Sequence, residues 1–175
     1  MLAAEACHPT VLQNKGMRKV NTNKMEEESW QSPKGKFGGL AKQVSAALGC
    51  DPSSTDLRER HPFAIEIARI PAGKCNWPYH VHSAQWEFYH VISGKGLVRH
   101  EEGTTGIVAG DAFLFEPGQA HQVINNGTEE LVLYVVADNP IGEALYYPET
   151  DKWMVPSPDD RLIRSEGLDY YDGEE

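Results

Sequence analysis

The stretch GKCNWPYHVHSAQWEFYHVISGKG, Gly73 to Gly96, decides how the rest of the chain is read. His80 and His82 stand two residues apart. Alternate side chains of an extended strand share a face, so both imidazoles point the same way, as a chelating pair must. Glu87 follows after four residues, enough for a bend that carries its carboxylate onto a neighbouring strand. His121, 34 residues further on and behind the turn Pro117-Gly118, brings a third imidazole from another strand. Three imidazoles and one carboxylate form a mixed nitrogen and oxygen set, suited to Fe, Mn, Ni, Co or Zn rather than Ca or Mg.

Outward from this stretch the apolar period is two. Phe63–Ile70 alternates and is rich in β formers, and strands are expected again at Trp86–Ile92, Leu97–Glu101, Thr105–Val108, Ala112–Phe115, His121–Asn125 and Leu131–Ala137. Gly and Pro turns punctuate them, with no helix between, which predicts an antiparallel sandwich or barrel. Upstream, Leu40, Val44 and Leu48 at i, i+4 and i+8 with Gly49 next predict a short amphipathic helix and its glycine cap. The organisation expected is a disordered lead-in over 1–28, an arm with that helix over 29–60, a β unit over 61–140 and an extension over 141–175. The extension carries Tyr146, Tyr147 and Trp153, too aromatic for a solvated tail, so part of it should pack; its acidic end should not.

The order of these residues resembles the cupin superfamily. Gly73, His80-Val81-His82, Glu87 and Gly94 are similar to its first motif, and Gly110, Gly118, His121 and Asn125 to its second, with 15 residues between the motifs. Two departures fall in turns: six residues rather than five separate Gly73 from His80, and Pro117 stands one place late, with Glu116 in its slot. The resemblance covers 61–140. It implies an all-β fold, a double-stranded β-helix barrel of two antiparallel sheets, here with a short N-terminal helix and a C-terminal extension. It also implies that His80, His82, Glu87 and His121 ligate one divalent metal ion per chain, with Zn, Fe, Mn and Ni all open.

Composition narrows the partners. The 175 residues carry a net charge of −10, which argues against a nucleic-acid binder. No apolar run approaches the roughly 20 residues that cross a bilayer, and no secretory leader is read at the start. Three cysteines, Cys7, Cys50 and Cys75, fit no disulfide framework or CxxC pattern, which favours a reducing, cytoplasmic setting. A small-molecule ligand and a homodimer are expected, because an ~80-residue barrel cannot bury all the apolar surface offered.

Other residues are weighed against plainer roles. Parity turns His90 away from Glu87, while Tyr89 and Val91 share the Glu87 face. Phe113 and Phe115 are expected in the core rather than on substrate. Cys75 reads as a buried thiol, and Trp77 and Tyr79 either shape a pocket mouth or pack strand ends. Glu101-Glu102 and Glu129-Glu130 read as solvated turns. No nucleophile elbow or phosphate loop is present. The expectation is an enzyme with an open metal site, of dioxygenase, isomerase or decarboxylase type; the lack of a phosphate clamp lowers the sugar-phosphate option. Tyr89 is the one candidate acid or base beside the ligands. The alternative is a non-catalytic binding or sensing module.

Overall fold

The structure, a computed structural model, describes residues 16–51, 53–54, 56–155, 161–164 and 166–174. The first strands are β1 (Glu28–Gln31) and β2 (Gly38–Gln43), followed by two single helical turns, α1 (Val44–Ala47) and α2 (Leu57–Arg60). Then come β3 (Phe63–Ile70), β4 (Val81–His82), β5 (Glu87–Ser93), β6 (Lys95–His100), β7 (Gly103–Val108) and β8 (Ala112–Phe115). The chain continues with β9 (His121–Ile124), β10 (Leu131–Asp138), β11 (Leu145–Tyr147), β12 (Lys152–Val155) and β13 (Arg161–Ile163).

These strands form three sheets. Six lie in the order β1-β2-β3-β10-β5-β8, four in the order β13-β12-β11-β4, and three in the order β7-β6-β9. All pairs within them are antiparallel. The expected closed barrel is corrected here: no sheet closes on itself, and β7 and β8 remain edges. Between those edges lies a cleft of about 420 Å³ walled by Val98, Ile107, Phe113 and Phe115. These large side chains line the cleft between the edges, and β7 and β8 form no ladder with each other. Along these two edges the halves meet by side-chain packing, whereas on the opposite side the segment at Cys75 bridges Phe37 and Ile124 through the backbone.

The N-terminal helix is corrected as well. Leu40 and its neighbours belong to β2, paired with β3 through Leu40–Arg69 and Ala41–Ala68, and only one helical turn follows. Helical spacing was overridden by sheet pairing, for which Gly39 is suited: a Cβ there would lie 2.9 Å from the Arg69 carbonyl oxygen. Gly49 does end that turn in the left-handed region, its N–H bonded to the Ala46 carbonyl.

The main core lies on the inner face of the six-stranded sheet. Ala68, Leu133 and Val91 align across β3, β10 and β5, and Ile70 and Leu131 follow two residues along. Val91, Leu133, Ile70 and Leu131 are wholly buried, and Val98, Ile107 and Val123 of the three-stranded sheet face them. Each such side chain contributes about 1.5–3 kcal/mol, so this layer fixes the frame around the site.

Of the lead-in read over 1–28, residues 1–15 lie outside the described residues. Beyond them Arg18 donates to the Leu48 carbonyl at 3.0 Å, and Asn21 caps a 3-10 turn at Thr22–Lys24. In the extension, β11 pairs with β4 and Tyr146 packs on Trp153 at 4.8 Å. The acidic end at 166–174 is exposed.

Candidate metal centre

One group comes from each sheet: His82 from β4, Glu87 from β5 and His121 from β9, with His80 bridged to His121 by backbone hydrogen bonds of 2.9 and 3.1 Å. The sequence places them by simple means. His80 and His82 share a face two residues apart. The bend before Glu87 is held by Asp138, whose carboxylate accepts from the Trp86 N–H at 2.8 Å. Pro117-Gly118 turns the chain so that β9 starts on His121, and the Gly118 N–H reaches back to the His82 carbonyl at 2.9 Å.

One ligand atom from each of His80, His82, Glu87 and His121 falls within 4.8 Å of all the others. Nε2 of His80 and of His82 are 3.2 Å apart, and Glu87 Oε2 lies 2.7 Å from His121 Nε2 and 3.3 Å from His82 Nε2. The far nitrogens settle the tautomers. His80 Nδ1 faces the Pro78 carbonyl at 2.8 Å, His121 Nδ1 the Gln119 carbonyl at 3.1 Å, and His82 Nδ1 the Glu143 carboxylate at 3.1 Å. Each partner is an acceptor, so each Nδ1 carries the proton and each Nε2 turns a lone pair inward when the ring is neutral. The donor set fits a divalent ion, and these residues form a site for one.

Electrostatics follow from burial. Burial, with His121 beside it, holds His80 down to about 4, so it is neutral at pH 7. Burial would also lower His82, but its hydrogen bonds to Glu143 and Glu87 outweigh this and raise it to about 9 without an ion present. Burial opposes charge on Glu87 too, yet the imidazoles bonded to it hold its carboxyl far below the usual range. Phe115 stacks on His121 with centroids 3.9 Å apart and planes 3° apart, fixing the ring while excluding water.

Tyr89 donates its hydroxyl to Glu87 Oε2 at 3.0 Å, and burial raises its pKa well above normal. Phe113 and Phe115 pack on the core and also line the cleft between β7 and β8. His90 lies outside the cluster, as parity requires, and His100 bonds to Thr105 at 2.9 Å. Cys75 is a buried free thiol apart from the ligands, and Cys50 is likewise free; Cys7 lies outside the described residues. Trp77 stacks on Trp30, and Tyr79 lies under the Arg99 guanidinium at 4.1 Å. Glu130 pairs with Arg69 at 2.5 Å. Sequence reasoning missed Glu143. Its carboxylate also accepts from the Ser83 and Ala84 N–H groups at 3.1 and 2.9 Å, a role that no spacing announces.

Fold and centre together define a metal-binding protein of the double-stranded β-helix type. Residues 53–137 match the cupin domain, so the chain carries a cupin domain. Among curated proteins no match was found. Among solved structures, a protein from Acidithiobacillus ferrooxidans provisionally named a sugar phosphate isomerase is 25% identical, with a TM-score of 0.71 over 84% of this chain and 92% of its own. A cupin-superfamily sugar phosphate isomerase from Silicibacter pomeroyi is 21% identical, TM-score 0.70, over 87% and 97%. A protein from Thermotoga maritima provisionally named an oxalate decarboxylase is 18% identical, TM-score 0.57, over 70% and 99%. The last two likenesses bear on fold alone.

Proposed function

We propose that the chain is a metal-dependent enzyme acting on an oxygen-rich small molecule, of isomerase type, with His80, His82, Glu87 and His121 as ligands. The observation that carries this is the set of three Nδ1 anchors, which leaves three imidazole lone pairs and one carboxylate converging on a buried point. A divalent ion held there by these four residues would supply Lewis acidity toward a substrate oxygen. The protein's own part is to fix geometry. Glu143 and the Pro78 and Gln119 carbonyls orient the rings, Tyr89 holds Glu87 by a hydrogen bond, and Phe115 keeps water from His121. The likeness to the A. ferrooxidans protein supports isomerisation over decarboxylation or dioxygenation.

One observation favours a non-catalytic binding module as the second reading. Tyr89, the candidate acid or base, has its hydroxyl engaged with Glu87 and its pKa raised, so it donates a hydrogen bond rather than removing a proton. Turnover assays with Fe(II), Mn(II), Ni(II), Co(II) and Zn(II) against aldoses, ketoses and their phosphates decide between the two. Product with one metal, lost in His121→Ala, supports the enzyme; ligand uptake without product under every metal supports the module.

We also infer a cytoplasmic homodimer, with 61–140 as its central unit. No helix of the described residues is long and apolar enough to cross a membrane. On the outer face of the six-stranded sheet Ile65, Val136, Phe88 and Leu114 align across four strands, and Phe88 and Leu114 are exposed. A single-chain mass by sedimentation at micromolar concentration would overturn the dimer.

A further inference from the structure

A second cavity, of about 250 Å³, is lined by Glu28, Trp30, Gln43, Glu66, Asn76 and Trp77, with one serine and three aliphatic side chains between them. Half of this wall comes from β1 and β2, outside the region matched to the cupin domain. Trp30 and Trp77 stack ring on ring, with centroids 3.9 Å apart, and close one side. Glu66 faces inward with Gln43, whose amide donates to Glu66 Oε2 at 3.1 Å. Asn76 is only 6% exposed, its backbone N–H fixed to the Val123 carbonyl at 3.0 Å. Its side-chain amide lines the cavity and is not among the buried polar atoms shut off from it. No described residue hydrogen-bonds that amide, nor the Trp30 indole N–H. The Trp30 indole is only half-buried, but a side-chain amide in a residue as buried as Asn76 is normally paired, and the cavity is where a partner, solvent or ligand, can reach it.

The chemistry of the wall selects the partner. The amide NH₂ of Asn76 and the indole N–H need acceptors, while the carboxylates of Glu28 and Glu66 and the amide oxygens need donors. An anion only accepts and would meet two carboxylates, with no Lys, Arg or His in the lining. An ammonium ion only donates and would leave the N–H groups unpaired. Hydroxyl groups do both, and indole faces suit the C–H faces of a ring.

We propose that this cavity binds an uncharged polyhydroxylated molecule of monosaccharide size. Glu66 aligns with Tyr89 across β10, and Glu87 lies two residues along on the same face. From ladder spacings the Glu66 backbone lies roughly 12 Å from the Glu87 backbone. Burial raises the Glu66 carboxyl, with Gln43 opposing and the charge of Glu87 adding, in keeping with a group that awaits a hydrogen-bonding partner. The wall is complete without an ion, so this site stands apart from the metal-dependent reading.

The test is isothermal titration of the full chain, as purified and after chelation, with D-glucose, D-mannose, D-galactose, D-fructose and myo-inositol, and with tetramethylammonium and inorganic phosphate. The expected result is saturable binding of at least one polyol, kept after chelation. Asn76→Ala and Glu66→Gln should each weaken it about fivefold or more, the scale of one lost hydrogen bond. If Asn76→Ala lowers the melting temperature, Glu66→Gln, which keeps the side-chain volume, carries the test. No binding of any polyol, binding unaltered in Glu66→Gln, loss on chelation, or tighter binding of tetramethylammonium or phosphate would each overturn the proposal.

Discussion

Replacing Glu143 by Gln removes one charge from beside the metal centre and sets two effects against each other. The carboxylate accepts three N–H groups: His82 Nδ1 and the Ser83 and Ala84 amides. An amide has one accepting oxygen, so at least one donor meets an NH₂ group, and His82 is held less well. Loss of such an outer partner weakens metal binding about 10–100-fold. Against this, Glu143 is one reason that His82 titrates at about 9 in the metal-free protein. At pH 7.5 a proton then competes with the metal by about 30-fold, and Glu143→Gln relieves up to that much. At pH 9.5 the competition has gone and only the positioning loss remains. Chelator-buffered Zn(II) titrations at both pH values should therefore show a small deficit at 7.5 that widens at 9.5 toward about 10–100-fold. In a His82→Ala background the same substitution should change affinity less than about twofold, since the ring it positions is gone. A deficit of equal size at both pH values, or an additive loss without His82, would refute the role assigned to Glu143.

Three further outcomes are expected. In the metal-free protein, the raised pKa of His82 adds stability that is complete below about 6.5 and lost as pH rises through about 9, on the order of 3 kcal/mol; the lowered pKa of His80 has the opposite sense, with stability lost as pH falls from about 6.5 toward 4. Thermal melts should peak near pH 6–7, and added metal should remove the alkaline fall; a flat profile would contradict this. Truncation after Asn139 deletes Glu143 and β11 and uncovers β4, so metal content and melting temperature should drop together, and a truncated chain that melts like the full one would show the extension to be idle. Leu133→Ala, at a wholly buried site, should cost about 2–5 kcal/mol in denaturant unfolding while leaving metal stoichiometry at one, and a loss under 1 kcal/mol would place the core elsewhere.

Much of the fold was legible because its signals are local. Phe63–Ile70 and Ala112–Phe115 appear as strands with the bounds that the sequence assigns them, since each is a β-rich run closed off by Pro or Gly turns. Leu40, Val44 and Leu48 misled because their spacing suits a helix, while the pairing of β2 with β3, Leu40 with Arg69 among its partners, is a long-range choice. Closure of a barrel was no more local: it depends on whether Phe113, Phe115 and Ile107 lie between edges or under them. At the metal centre, His80 and His82 announce themselves by parity, and Glu87 and His121 by their order behind turns. Glu143 is an isolated carboxylate that gains its role only when β11 lies beside β4. Trp30 and Asn76 meet across the cavity for the same kind of reason, through strands brought together by the sheet.

The meeting of three open sheets at one point has a mechanical consequence. An ion bound there is a cross-link joining residues 80 to 121, and it ties three ladders that share no strand into one network. Such a staple restrains the open states of the chain as a loop closure does, so hydrogen exchange should reveal two regimes. Without metal, β4 with β11 and β12 can part from the six-stranded sheet as a separate cooperative unit. With metal, amides on both sides of the junction should slow together, and the protein should open as a whole or not at all.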